Sequence, residues 1–485
     1  MIDRLELIRT SDIQLAAERP QRAIGTSLDG DFKMFAFGKI LAIPLAAFLA
    51  STAFTAPAFT AEIKVGKAAF GDWKDDKPGI RRHIRASDLP PPKLTKDVVA
   101  NFPGEAKRPA DAKPQVPEGF TVDMVATGIE SPRAIRFAPN GDLFVADSSA
   151  NQVRVYRIGA DSAKPEKDEI FATGLYQPYG IAFYPLGPDP KWIYIANSNS
   201  VVRFPYKNGD LKAAGKPEEI IGHIPATHHW TRDLAFSPKG DKLYVAVGSG
   251  SNVALDMSMQ PFEGLEEWNK THPLGAAWDT EERRADVLAV DPDGKNEKIF
   301  ATGLRNCAGM TINPATGAPW CVVNERDELG DNVPFEYATE VEEGKFYGWP
   351  WYYIGNHEDP RQKGKRPDLA SKVTIPDVLF QAHSAPLGIA FYTGDDFPDE
   401  YKGDAFVTFH GSWNRGSRTG YKVVRVLFKD GKPTGEYEDF MTGFVISDKE
   451  VWGRPVGVAV SKDGSLFISD DGSGSIWRVT HGPKD

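Results

Sequence analysis

Cysteine is almost absent from this chain, which has only Cys307 and Cys321 among its 485 residues. Two thiols exclude a small domain held together by several disulfides, and no Cys-x-x-Cys-His run is present that would attach haem covalently. The two cysteines flank a predicted hairpin, so they can pair in an oxidising compartment if their Cα atoms come within about 7 Å. Two separate buried thiols also fit the sequence, and the pairing stays open at this point.

An excess of positive charge is also missing. The chain has 57 Lys and Arg against 67 Asp and Glu, a formal net charge of -10, and no clustered basic face interleaved with aromatic residues. Such a surface repels a phosphate backbone, which excludes nucleic acid as a partner. The Gly-Ser-Gly runs at 248–250 and 472–474 lack the strand-turn-helix setting of a dinucleotide loop, so nicotinamide binding is not expected. Ordinary hydrophobic and charged contents of 41% and 26% indicate a folded, water-soluble protein.

One long apolar run stands in the N-terminal region. Residues 35–59 are nearly all apolar, with one early cation, Lys39, and small residues at the end, an order typical of a bacterial secretory signal. We therefore expect residues 1–58 to be an upstream extension and signal that is removed, Met34 to be the true start, and the product to be periplasmic or secreted. The alternative is a retained membrane anchor, because a spanning helix needs roughly 20 residues. Pro44 and the small residues favour cleavage, with no stable membrane span in the mature form.

Two regions of different character follow the apolar run. Residues 59–119 are rich in proline, lysine and aspartate with little periodicity, which predicts an extended arm lying on the next domain. From residue 120 to residue 485 a unit recurs, with a turn, a Pro-x-Gly-Ile-Ala-Phe-like run, a Gly-containing turn and further β-rich runs. The motif that opens the unit occurs six times, at residues 128–137, 174–183, 228–236, 303–312, 383–391 and 452–460.

The repeat predicts the fold. One short sheet cannot bury both faces, so the sheets must stack, and a closed ring of about six sheets leaves only short edges. We expect an all-β, six-bladed β-propeller with the arm outside it, in which the repeated apolar and Gly positions are structural. Function must then come from positions that break the repeat. Those positions hold Arg305 and Asn306 in the fourth copy, His228 and His229 in the third, and Arg454 in the sixth.

These residues, with Gly-Leu-Arg-Asn-Cys-Ala-Gly at 303–309 and the acidic loop 324–331, carry a resemblance to a known family. From residue 65 onwards the chain resembles the soluble quinoprotein sugar dehydrogenases, most closely the sorbosone-dehydrogenase-like branch. The resemblance implies a propeller that holds pyrroloquinoline quinone (PQQ) and Ca²⁺ over one channel mouth. It implies that His228, four residues before Arg232, is the general base, with His229 in reserve.

The same resemblance implies the cofactor contacts. Arg305, Asn306 and Arg454 are expected to contact the quinone, and the loop 324–331 to bind calcium, largely through main-chain carbonyls. The metal residues predicted in that loop are Glu325, Arg326, Asp327 and Asp331.

The chain departs from the family pattern at three places. At 410–415 it has no lysine where glucose-oxidising relatives use one, which leaves His410 and Arg415 as the predicted substitutes. Val456 replaces a second arginine in the last blade, so we expect the affinity for substrate or cofactor to differ from that of the relatives. Cys307 replaces a proline, with no predicted consequence.

The chemistry of these residue types is consistent with oxidation of a sugar. Removing the hydroxyl proton needs a base with a pKa near neutral, and imidazole is the closest side chain. Ca²⁺ and arginine stabilise charge that develops on quinone oxygens. We therefore predict a PQQ- and calcium-dependent dehydrogenase of an aldose or related sugar aldehyde, with electrons passing to a separate acceptor such as a cytochrome or a quinone. The alternatives are a calcium-dependent lactonase and a non-catalytic propeller that binds a glycan or a protein.

Overall fold

The computed structural model describes residues 62–93, 100–159, 164–258 and 264–482. The predicted secretory signal, residues 1–58, lies outside these residues, so its cleavage and the start at Met34 stay predictions. Among the described helices, none has the length and apolar character needed to cross a bilayer.

The chain begins with short elements and then builds one sheet after another. Strands β1 (Ile63–Val65), β2 (Arg81–His83) and β3 (Gly104–Glu105) come first, with 3-10 turns at Gly66–Phe70, Trp73–Asp75 and Ala86–Asp88, followed by β4 (Phe120–Ala126). The sheets that follow are β5 (Pro132–Phe137), β6 (Leu143–Asp147), β7 (Gln152–Ile158) and β8 (Pro165–Ala172); β9 (Ile181–Tyr184), β10 (Trp192–Ala196), β11 (Val201–Pro205) and β12 (Glu218–Ile221); and β13 (Leu234–Phe236), β14 (Leu243–Val247), β15 (Asp286–Val290) and β16 (Lys298–Thr302).

The second half of the ring is built in the same order. Its sheets are β17 (Cys307–Ile312), β18 (Pro319–Val323), β19 (Glu336–Glu340) and β22 (Val378–Phe380); β23 (Pro386–Phe391), β24 (Ala405–Phe409), β25 (Lys422–Lys429) and β26 (Lys432–Met441); and β28 (Pro455–Val460), β29 (Leu466–Asp470) and β30 (Ser475–His481) with β4. Its connections carry the hairpin β20 (Tyr352–Tyr353) and β21 (His357–Glu358), strand β27 (Glu450–Val451) and 3-10 turns at Pro367–Leu369 and Asp399–Tyr401. Helix α1 (Leu265–Thr271) and the 3-10 turn at Asp279–Glu281 lie in the first half, between β14 and β15. The predicted six-bladed propeller is confirmed.

The ring closes by combining the two ends of the repeat region. Strand β4 pairs antiparallel with β30, so the first strand of the domain becomes the outer strand of the last blade. This pairing joins residues that are far apart in sequence, and it gives the last sheet of the ring, blade 6 (β28–β30 with β4), its fourth strand.

A glycine recurs in four of the six inner-strand motifs, at positions 180, 309, 388 and 457, and the narrow axis explains it. A Cβ on Gly388 would lie 2.5 Å from the carbonyl oxygen of Val456, and one on Gly457 would lie 2.5 Å from that of Arg133. Adjacent inner strands therefore approach too closely for a side chain at this position. The motif sets the spacing of the ring, which is a packing role.

The arm extends the fifth sheet of the ring, blade 5 (β23–β26), instead of lying loosely on the surface. Strand β2 pairs antiparallel with β26, and β1 adds to β2 in parallel, giving this blade six strands. The buried Arg82, a residue of β2, contacts Asp439 at 2.6 Å and Asp76 at 2.9 Å. The buried Lys422 contacts the same two carboxylates, Asp439 at 2.8 Å and Asp76 at 2.7 Å. Two cations and two anions thus compensate one another where the arm meets the propeller.

Cys307 and Cys321 form a disulfide, with their Cα atoms 5.5 Å apart. The bond joins the inner strand β17 to its neighbour β18, directly after Arg305 and Asn306. The pairing that the sequence left open is therefore settled in favour of the bond.

Removing this disulfide is expected to lower the free energy of unfolding by about 2–4 kcal/mol, because the closed loop restricts the unfolded chain. The Cys307→Ala/Cys321→Ala variant should unfold at lower denaturant than the wild type. Wild-type protein unfolded with excess dithiothreitol should match the variant, and the reductant should not affect the variant itself. Coincident transitions for all three samples would contradict the expectation.

Candidate active site

The channel is closed near one end by a floor with one side chain from each blade. These side chains are Ala134, Tyr179, Trp230, Ala308, Leu387 and Val456, which pack together as one cluster. The hydroxyl of Tyr179 donates to the carbonyl of Leu387 across the channel at 3.0 Å. Each floor residue lies within or just before the innermost strand of its blade, so the chain segments that lead into these strands lie on the same side of the floor.

The histidine pair lies at this mouth, directly before Trp230. His229 Nδ1 is 3.0 Å from the carbonyl oxygen and 2.9 Å from Oγ of Ser249. The carbonyl can only accept, so the proton is assigned to Nδ1, which leaves Nε2 as an acceptor. Burial, reinforced by the charge of Arg305, holds the pKa of His229 well below its usual value. His229 is therefore neutral at physiological pH and oriented as a base.

His228 has a different environment. Its side chain is exposed, its backbone has φ of 63°, and its ring packs edge-on against His229 at 4.3 Å. Burial and nearby arginines lower its pKa as well. His228 therefore covers its neighbour at the rim.

Arg305 is buried and fixed by the loops around it. Its Nη1 donates to the carbonyl of Glu325 at 2.7 Å, and its Nε and Nη2 donate to the carbonyl and Oδ1 of Asn252 at 3.2 and 3.1 Å. Nη2 also lies 3.5 Å from Asp327. Because Ser249 N donates to the carbonyl of Arg305 at 2.7 Å, the arginine and His229 are held by the same main chain.

A small cavity of about 80 Å³ joins these groups. It is lined by His229, Arg305, Asn324, Glu325, Asp327, Glu336, His383, Ala385 and Trp413. His229 and Arg305, from different blades, therefore line one cavity.

The pKa values of the carboxyl groups in the cavity are shifted in different directions. Burial raises the pKa of Glu325 to about 7 and that of Glu336 well above its usual value. Burial opposes ionisation of Asp327 too, but His383 and Arg305 outweigh it and lower its pKa. Oε1 of Glu325 is buried with no hydrogen-bond partner. The cavity therefore offers an unused carboxylate oxygen to a cation.

A second charged cluster lies on the last blade. Asp471 contacts Nε2 of His410 at 2.9 Å, Nε of Arg454 at 3.0 Å and the guanidinium of Arg133. Burial would favour a protonated Asp471, but His410 and Arg133 outweigh it and keep its pKa far below the usual value. Arg133 also lies over the floor rings of Tyr179 and Trp230, at 5.8 and 5.5 Å. Arg454 is thus placed at the same mouth as Arg305.

Other predicted site residues do not reach the cavity. Nη2 of Arg415 donates to the carbonyl of Phe70 in the arm at 2.7 Å, and Arg326 pairs with Asp359 at 3.2 Å. Asp331 accepts from Gly416 N at 3.4 Å. Asn306 is buried beside the cavity residue Asn324, 3.4 Å from its Oδ1. In the described part of the chain, no three His, Cys, Asp or Glu side chains are grouped to hold a metal ion.

Sequence reasoning missed three residues at this mouth. Arg133 occupies a variable position of the first repeat, so the sequence offered a fourth copy with a repeat-breaking polar residue. Asp471 follows an apolar strand as one of two adjacent aspartates, and Trp413 lies in a long loop. Neither position carries a periodic signal, so only the folded contacts identify them.

Comparison with known proteins places the chain. Residues 114–343 and 357–482 match the sequence model of the TrAA12-like family, and the chain belongs to that family. A pyrroloquinoline quinone-dependent sugar dehydrogenase of Hypocrea jecorina is 23% identical and covers 77% of this chain and 90% of its own length. A Borreliella burgdorferi protein is 29% identical over 75% of this chain and 90% of its own length.

Solved structures agree on the fold. The holo PQQ domain of a pyranose dehydrogenase from Coprinopsis cinerea superposes with a TM-score of 0.62 at 22% identity, covering 78% of this chain and 99% of that domain. The predicted membership of the soluble quinoprotein sugar dehydrogenases, and with it of an oxidoreductase class, is confirmed. The sorbosone-dehydrogenase-like branch stays a prediction.

Proposed function

We propose that this protein is a PQQ-dependent dehydrogenase that oxidises an aldose or a related sugar aldehyde and passes the electrons to a separate acceptor. One observation carries the proposal. The neutral imidazole of His229 and the guanidiniums of Arg133, Arg305 and Arg454 lie at one mouth of the channel. PQQ is a flat anion with three carboxylates. Guanidiniums are the side chains best suited to planar, bidentate recognition of carboxylates.

The residues present suit this cofactor. Arg305, Asn306, Arg454 and His410, with Arg133 added, would hold the anion, and the apolar floor would lie beneath it. When bound, PQQ supplies the electrophilic carbonyl that accepts a hydride from the sugar carbon. The chain supplies the rest: positioning, a dry floor and a base.

The base removes the hydroxyl proton. The sequence put this role on His228, but the contacts favour His229, since its Nε2 is free and its ring lines the cavity. The sugar O–H breaks, the proton goes to His229 Nε2, and the electron pair left on oxygen forms the new carbonyl as the hydride departs. The bond from Nδ1 to Ser249 keeps the ring oriented and stabilises the cation that forms.

Calcium is part of the same proposal. Glu325 would contribute its unpartnered Oε1, and main-chain carbonyls of the loop 324–331 would complete the oxygen ligands that Ca²⁺ requires. Of the predicted metal residues, Asp327 also lines the cavity, whereas Arg326 and Asp331 are engaged elsewhere. The proposed product is periplasmic or secreted, as its N-terminal signal predicts.

Reconstitution tests the proposal. Purified protein given PQQ and Ca²⁺ is expected to reduce a dye acceptor with at least one aldose, and activity should fall when the metal is chelated before PQQ is added. Glu325→Gln is expected to need more Ca²⁺ for half-maximal activity, because a neutral amide binds the cation less strongly. Absence of PQQ binding by titration, together with no turnover on an aldose panel, would remove the proposal.

A further inference from the structure

The arm reaches the mouth of the active site. Asn101 N donates to the carbonyl of Trp413 at 2.7 Å, and its buried side-chain amide donates to the carbonyls of Gly416 and Asp448 at 2.9 and 3.0 Å. Strand β3 then pairs in parallel with β27. The match to the family begins only at residue 114, so this segment lies outside the part of the chain that the family shares.

Phe102 is fixed by these bonds in an unusual position. Its ring stacks on Trp413 with centroids 4.9 Å apart and planes within 7°. Phe102 remains 68% exposed, and no large apolar side chain in the described ranges is more exposed. An aromatic ring with one face covered and one face open contributes little to the core.

The partner of Phe102 ties it to the site. Trp413 lines the cavity that also contains His229 and Arg305. Three residues after Phe102, the carboxylate of Glu105 lies 2.6 Å from Nη1 of Arg454, whereas Asp471 contacts Nε of the same guanidinium. The segment 101–105 therefore contacts Trp413 of the cavity and Arg454 of the second charged cluster.

We propose that the arm supplies one wall of the substrate site, in which the open face of Phe102, backed by Trp413, binds the C–H face of a pyranose ring. Sugar rings present apolar, slightly positive C–H groups on one face, which pack on the negative face of an aromatic ring. Glu105 gives a half-exposed carboxylate that accepts hydrogen bonds from sugar hydroxyls near the platform. The inference rests on the proposed function for the identity of the ligand as a sugar.

The test compares Phe102→Ala, Phe102→Trp and a control, Leu186→Ala. Leu186 is also exposed but follows β9 at the far end of the channel. Phe102→Ala is expected to raise the KM for aldopyranoses about three- to tenfold, with kcat and the PQQ dissociation constant within about twofold of wild type. Phe102→Trp should restore KM, and Leu186→Ala should not change it.

A second measurement does not depend on turnover. The dissociation constant of methyl glycosides, followed by saturation-transfer NMR, should rise by the same factor in Phe102→Ala. One outcome separates the two proposals: the wild type neither binds PQQ nor oxidises sugars, yet it binds glycosides and Phe102→Ala does not. In that case the proposed function fails and the platform stands. Unchanged KM and glycoside affinity would overturn the platform. So would a parallel fall in PQQ affinity and melting temperature, because that pattern indicates a structural role.

Discussion

Replacing His229 with asparagine is expected to lower kcat by about 10²–10⁴-fold while PQQ remains bound, because a positioned general base contributes about that factor. Asparagine is close in size and can still donate to Ser249, so the fold of the mouth should persist. The loss should appear in kcat measured with the reconstituted enzyme. PQQ titration of the same preparation checks that the cofactor site is intact.

The pH profile gives the same assignment independently. A base acts unprotonated, so activity falls as the pH drops through its pKa. Burial and Arg305 lower the pKa of His229 well below 6.5. The acid limb of kcat/KM should therefore lie at lower pH than for an ordinary histidine, and the wild type should keep its activity through pH 6.

His228→Asn is the matched control. The two histidines are adjacent, yet only His229 lines the cavity, so this variant should lose no more than a few-fold in kcat. A large loss in His228→Asn with near-normal turnover in His229→Asn would return the base to His228, where the sequence placed it.

The propeller was predictable because its signal is repeated. Six copies of one pattern outweigh irregularity in any single copy, and each repeated Gly reports a local packing demand, such as the close approach of Gly457 to the carbonyl of Arg133. The outer strand β4 was harder to assign, since its partner β30 lies at the other end of the domain. Nothing in the sequence of a short strand encodes which distant edge it completes.

The arm shows a second limit. Its proline-rich composition predicts extended structure, but strands β1 and β2 join blade 5 through the buried charges of Arg82 and Lys422. Arg82 belongs to the arm, but its partner Asp439 and the neighbouring Lys422 come from blade 5, hundreds of residues later. An aperiodic segment carries no pattern from which such contacts can be inferred.

The site was partly predictable for the same reason. Residues at repeat-equivalent positions, such as Arg305, His229 and Arg454, share a place on the scaffold, so their convergence follows from the fold. Arg326 and Arg415 lie in loops, where neighbours in sequence point in different directions. Arg326 is adjacent to Glu325, yet it pairs with Asp359 outside the cavity.

Replacing Arg305 with methionine is expected to weaken PQQ binding by on the order of 10²-fold or more, since loss of one partner from a buried, hydrogen-bonded charge pair costs at least about 2–5 kcal/mol. The change would also leave Asp327 without its guanidinium and the carbonyl of Glu325 without a donor. Fluorescence titration of the apoprotein with PQQ measures the effect. Arg305→Lys should be intermediate, because it keeps the charge but loses the planar fork.

Arg326→Met separates this effect from general destabilisation. Arg326 is equally buried and lies in the same loop, but its charge faces Asp359. It should lower the melting temperature while PQQ affinity stays close to wild type. A further readout comes from His229, whose pKa Arg305 helps to depress: histidine NMR of the Arg305→Met apoprotein should show it titrating at higher pH. Wild-type PQQ affinity in Arg305→Met, with an unmoved His229 titration, would show that this guanidinium neither holds the cofactor nor tunes the base.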